Sequence, residues 1–165
     1  MKVAFFHGLE SAPRSFKNEC LEEIFGAENV FAPAMDYHQP EIFDDVLNHL
    51  KHNPVDLLIG SSMGGWFAHK LSTLLDTPTL LFNPATSGRS FNPRIMSGND
   101  MPTQHVIIGT QDDVIDPIEN SLYFTEKNEG RKKFLLKIAY ETIGHRIPDD
   151  IFEKYVLMTK KEFLY

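Results

Sequence analysis

The sequence is poor in cysteine: Cys20 is the only one in 165 residues. A disulfide within the chain and any zinc site built on several cysteines are therefore excluded. Positive charge is also scarce, with 16 Lys and Arg against 23 Asp and Glu and a formal charge of −7. That balance argues against nucleic acid or an anionic membrane surface as the main partner. No stretch approaches the roughly 18 consecutive apolar residues of a spanning helix. The apolar run Val3-Ala4-Phe5-Phe6, closed by His7-Gly8, is too short for the core of a signal peptide. A soluble cytoplasmic protein without a membrane partner is the expectation. Neither an internal repeat nor a low-complexity segment is visible. What the chain does have is 42% hydrophobic and 24% charged residues, enough for one sizeable core at this length, so 1–165 is expected to form a single domain.

Short apolar runs alternate with amphipathic stretches from end to end. The runs 3–6, 29–32, 55–59, 79–82, 105–108 and 134–138 are predicted strands. The stretches 13–25, 41–51, 66–75, 117–127 and 148–163 are predicted helices. Over 41–51 the spacing of Ile42, Val46, Leu47 and Leu50 puts them on one helical face. Near-continuous apolar strands between helices are what a parallel sheet covered on both faces requires, so the fold class is α/β, doubly wound. Residues 85–103, rich in Ser, Asn, Gly and Pro, break this rhythm. Following a strand's C-terminal end, where open α/β sheets keep their crevice, they are expected to form a long loop or a reduced lid.

The sharpest chemical signal is Gly60-x-Ser62-x-Gly64, preceded by Leu57-Leu58-Ile59 and followed by the helical Trp66-Phe67-Ala68-His69-Lys70-Leu71. A nucleophile on a tight strand-to-helix turn has a strained backbone, and small neighbours relieve the crowding. Its Oγ then stands above the sheet, and the Met63 N–H points into the site at a helix N-terminus. The rival reading is a glycine-rich turn in which Ser62 only caps the helix. A serine needs a base and an orienting acid. His145, in Gly144-His145 after the last strand, can supply the base. Asp112, in Gly109-Thr110-Gln111-Asp112-Asp113-Val114 after the fifth strand, can supply the acid. Asp113 and Asp116 compete with it; Asp112 is preferred because it comes first after the turn, and Asp116 before Pro117 suits a helix cap. The order Ser62, Asp112, His145 is that of α/β-hydrolases, and each residue falls at a strand's C-terminal end. Donors for a developing oxyanion would be the N–H groups of Met63 and Leu9, with Gly8 letting the chain turn sharply before Leu9.

Other residues have plainer readings. His7 is expected to hold the loop after the first strand. His49 and His52, one turn apart, read as solvated helix residues, and no metal site is expected. His69 lies two turns beyond Ser62 and away from the chemistry. Cys20 and Phe67 read as packing, as does Trp66, which could also line the pocket floor. Lys127, Arg131, Lys132 and Lys133 read as a solvated basic loop.

The chain resembles small α/β-hydrolases, most closely the YqiA-like bacterial esterases. The resemblance rests on His7-Gly8-Leu9-Glu10-Ser11-Ala12-Pro13-Arg14-Ser15, Gly60-Ser61-Ser62-Met63-Gly64-Gly65, Leu81-Phe82-Asn83-Pro84-Ala85, and Gly109-Thr110-Gln111-Asp112-Asp113-Val114-Ile115-Asp116 with Gly144-His145-Arg146. It implies a minimal all-parallel sheet of six strands, ordered 2-1-3-4-5-6. It also implies hydrolysis of short-acyl carboxylesters without a cofactor, with a small-molecule ester as substrate. Ser62, Asp112 and His145 match the family's nucleophile, acid and base, and Leu9 and Met63 its oxyanion positions. Leu9 stands where Phe is common. The segment after Asn83-Pro84-Ala85 is short and lacks the family's tyrosine-rich pattern. Two rival readings of the same residues are an acyl thioesterase or other serine hydrolase, and a catalytically silent hydrolase fold that binds a ligand.

Overall fold

The computed structural model describes residues 1–9, 11, 14–87, 102–126 and 136–164. In chain order, strand β1 (Val3–Phe6) leads to helix α1 (Phe16–Phe25), a 3-10 turn (Ala27–Asn29) and β2 (Val30–Phe31). Then follow α2 (Ile42–His52), β3 (Leu57–Ser61), α3 (Met63–Leu75) and β4 (Thr79–Phe82). The last elements are β5 (Gln104–Gly109), α4 (Pro117–Glu126), β6 (Leu136–Glu141) and α5 (Asp149–Leu164).

The strands form one sheet in the order β2-β1-β3-β4-β5-β6, and every neighbouring pair is parallel. This is the expected order, and it places the sheet's carboxyl ends, with the turns after β1, β3, β5 and β6, along one rim. Side-chain alternation splits the core in two. Ala4, Phe6, Leu58, Leu81, Val106 and Ile108 pack with α2, α3 and α4, around Phe43, Phe67 and Phe124. Val3, Phe5, Leu57, Ile59, Leu80, Phe82 and Ile107 pack with α1 and α5, around Leu21 and Phe152. Most of these strand residues are fully buried, and each such side chain stabilises by about 1.5–3 kcal/mol relative to exposure.

Several boundaries depart from the sequence reading, each for a local reason. Helix α1 starts at Phe16 rather than at 13, with Ser15 extended at φ −150° as its N-cap residue. The second strand shrinks to two residues because the chain is still turning at Asn29, whose Nδ2 donates to Phe25 O at 2.8 Å. On α2 the buried stripe is Phe43, Val46, Leu47 and Leu50, with Ile42 only partly covered. Strand β3 runs two residues past Ile59, since Gly60 pairs with Phe6 and Ser61 with Phe82. Strand β6 extends to Glu141, paired with Gly109. An edge strand needs a backbone ladder on one side only, so polar Glu141 belongs to it although it lies beyond the apolar run. Residues 88–101, most of the expected lid, lie outside the described residues, as do Lys127, Arg131, Lys132 and Lys133 of the basic run.

Candidate active site

The turn from β3 into α3 is held by close backbone approach. A Cβ on Gly60 would overlap the Gly64 carbonyl, and one on Gly64 would overlap the carbonyls of Phe6 and His7. Gly65 sits against Pro84 Cα, where a Cβ would come to 3.0 Å. Ser62 lies between these glycines at φ 55°, ψ −119°, a region that strains any residue with a side chain. Its backbone is fully bonded: its N–H donates to Phe82 O at 2.9 Å, and its carbonyl accepts from Trp66 and Ala85 N–H, both at 3.0 Å. Ser62 thus has little freedom to relax.

The structure brings Ser62, His145 and Asp112 together from three different loops. Ser62 Oγ is 2.9 Å from His145 Nε2, and His145 Nδ1 is 2.8 Å from Asp112 Oδ2. With Nδ1–H donating to the carboxylate, Nε2 is left to accept the serine proton. The other Asp112 oxygen accepts the Val114 and Ile115 N–H groups, each at 2.9 Å. Burial raises the Asp112 carboxyl, but its bonds from His145, Ile115 and Val114 outweigh that and hold it below the ordinary value of 3.8. Ionised Asp112 is therefore favoured beside the imidazole. Asp113 is exposed, and Asp116 accepts the Ile118 and Glu119 N–H groups at 2.7 and 3.1 Å, as a cap for α4.

Asn83, at the end of β4, was recognised in sequence only as part of a motif. In the structure it joins the loops. It is 1% exposed and adopts φ 41°. Its Oδ1 accepts Gly109 N–H at 2.6 Å, while Nδ2 donates to the carbonyls of Gly144 at 3.0 Å and His145 at 3.1 Å. One amide thus ties the segment carrying the imidazole to the strand end that carries Asp112. The available signal was chemical: an amide-bearing residue at a strand's C-terminal end in an otherwise apolar run.

Leu9 and Met63 border the same cavity as Ser62 and His145, a cleft of about 390 Å³. Met63 is the first residue of α3, where the helix end favours negative charge. The loop bearing Leu9 is pinned through His7: Nδ1–H donates to Gly8 O at 2.8 Å, Nε2 accepts Met35 N–H at 3.0 Å, and the His7 carbonyl accepts Tyr37 OH at 2.6 Å. His7 is thus a loop-holding residue. The chain does turn after Gly8, with Ser11 N–H donating to Gly8 O at 3.2 Å, although Gly8 itself does not adopt a positive φ. A Cβ there would sit 3.4 Å from Ser62 Cβ, an ordinary contact that places this loop directly against the turn at Ser62.

The remaining candidates lie elsewhere. Trp66 does not border the cleft; its ring meets Tyr123 at 5.5 Å and the Lys70 ammonium at 4.1 Å. His69 is buried, bonded to Gln104 at 2.9 Å and Tyr123 at 3.1 Å. His49 stacks on Phe31, and among the described residues no cluster of metal-ligating side chains forms. Cys20 is buried, and burial first, then Glu153, Glu23 and Asp149, pushes its thiol up to about 11. No described helix is long and apolar enough to cross a membrane.

The family model "Uncharacterised protein family (UPF0227)" matches residues 2–162. The chain belongs to that family. Membership agrees with the YqiA-like resemblance of its motifs. A search of curated proteins finds no match. Among solved structures, a protein of the alpha/beta hydrolase superfamily from Xanthomonas campestris superimposes with TM-score 0.69 at 16% identity, covering 95% of this chain and 97% of that one. The hydrolase MGS-M1 from a Medee basin deep-sea metagenome library gives TM-score 0.67 at 19% identity, covering 96% and 81%. The Bacillus cereus carboxylesterase gives 0.63 at 14%, covering 97% and 87%. This UPF0227 chain therefore has the α/β-hydrolase fold.

Proposed function

We propose that the protein is a serine carboxylesterase acting on small or short-acyl esters. The observation that carries this reading is the unbroken line of hydrogen bonds from Ser62 Oγ through His145 to Asp112, placed at a turn whose strain has no other evident use.

In the mechanism we infer, Ser62 Oγ attacks the ester carbonyl carbon while His145 Nε2 takes the hydroxyl proton. Asp112 fixes the imidazole tautomer and stabilises the imidazolium. The carbonyl oxygen becomes an oxyanion received by the N–H groups of Leu9 and Met63. As the C–O bond to the alcohol breaks, His145 returns the proton to the leaving oxygen, and an acyl-Ser62 ester remains. A water then gives His145 a proton and attacks the acyl carbon. The acid departs, and Ser62 recovers its proton. No cofactor enters these steps.

Labelling with a fluorophosphonate, read by intact mass, tests the reading. One adduct on the wild-type protein and none on Ser62→Ala is expected, together with a loss of ester turnover of roughly 10³-fold or more. Ester hydrolysis undiminished in Ser62→Ala would remove Ser62 as nucleophile.

A further inference from the structure

The charge pattern of the cleft runs against that of the molecule. The chain carries a formal −7, yet among the described residues the fixed charges bordering the cavity that holds Ser62 are the cations Lys17 and Arg146. A second cavity of about 630 Å³ adjoins it, sharing both cations along with Gly8, Ser11 and Ser61. Among the described residues its one acidic border is Asp149. The apolar border of Leu9, Met63, Val114 and Ile115 belongs to the first cavity alone. The cleft is thus apolar to one side of Ser62 and cationic to the other.

Lys17 is kept in an unfavourable place. Burial lowers its ammonium's pKa, Arg146 repels it, and Asp149 offsets only part of this. It also lies in the first turn of α1, where positive charge opposes the helix dipole. Its described partner is the face of Phe152, 5.8 Å away. None of the ion pairs formed among the described residues involves Lys17 or Arg146. Two cations left in this state beside a nucleophile are completed by an arriving anion, and the guanidinium of Arg146 suits a carboxylate or phosphate geometrically.

We propose that the site selects esters bearing a carboxylate or phosphate group, held between Lys17 and Arg146 while the uncharged part lies against the apolar wall. This rests on the esterase reading above and names its substrate class. Asp149 marks the far limit of the anion's position.

Two matched pairs of substrates test it. One compares an aryl hemisuccinate with the butyrate of the same phenol, placing a carboxylate on the acyl side. The other compares 1-acetylglycerol 3-phosphate with 1-acetylglycerol, placing a phosphate on the alcohol side. At least one charged member is expected to have a kcat/KM about tenfold or more above its neutral partner; the pair showing this locates the anion. The preference should fall toward one in Lys17→Gln/Arg146→Gln and rise in Asp149→Asn. Should the double variant fail to fold, Arg146→Glu, changed at an exposed side chain, should still invert the preference. Neutral esters hydrolysed with no charge preference in either pair would overturn this inference alone. A preference that survives both Lys17→Gln/Arg146→Gln and Arg146→Glu would overturn it too. Failure of all four esters, with no fluorophosphonate adduct, would overturn the esterase reading and this inference with it.

Discussion

Two parts of the rim hold their functional groups by different physics. At the turn between β3 and α3, Ser62 is set by crowding: three glycines within six residues let backbone lie on backbone, and the strain at φ 55° is locked in by packing. Across the cleft, His145 and Asp112 are set by hydrogen bonds from distant segments, through Asn83 and the N–H groups of Val114 and Ile115. There Gly144 is spacious, with nothing nearer to an added Cβ than Gln111 O at 3.7 Å. The comparison teaches that a residue held in a strained conformation needs steric confinement. An imidazole proposed to pass protons needs orientation, and directional bonds supply it.

Substitutions can break this contrast. The largest effect is expected for Gly64→Ala, whose methyl would enter the carbonyls of Phe6 and His7. A loss of more than about 3 kcal/mol by urea unfolding, or no folded protein, should follow. Retention of wild-type stability would show that the turn is not confined. Next is Asn83→Ala, which leaves a buried N–H and two carbonyls without their partner and puts Ala at φ 41°. Roughly 2–4 kcal/mol should be lost, and ester turnover should drop more than about tenfold. Asn83→Asp keeps the acceptor for Gly109 and loses the donor to 144–145, so turnover in this variant should fall further than stability does.

Smaller changes sharpen the same comparison. Ser62→Gly relieves the backbone at the elbow and should raise stability by about 1–2 kcal/mol, a few degrees in Tm, while abolishing turnover. An unchanged or lower Tm would mean that no strain is stored at the elbow. Smallest of all, Gly144→Ala should alter stability by less than about 0.5 kcal/mol, because the added methyl meets only Gln111 O, at an ordinary contact distance of 3.7 Å.

How much of this was legible before folding follows from the same difference. The elbow is local in sequence: Gly60, Ser62 and Gly64 are neighbours, and crowding between neighbours leaves a compositional trace. Asn83 is bonded to residues 26, 61 and 62 positions away, so nothing near it betrays its role. The same holds for Lys17 and Arg146, which lie 129 positions apart and are brought to one cleft only by α1 and the loop before α5. The expected end of edge strand β6 fell three residues short because apolar runs report burial on two faces, whereas its ladder with β5 needs neither face to be wholly apolar.

The amino-acid order by itself determined the α/β class, the strand sequence and the strained turn at Ser62, because periodicity, glycine spacing and strand–helix alternation act over a few residues. Only the tertiary structure decided that Asp112 rather than Asp113 faces His145, that one amide ties their loops together, and that two cations border the cleft at Ser62 in an acidic chain. Those outcomes depend on side-chain direction at strand ends and on distances across the sheet, which one residue of register reverses and no local pattern encodes.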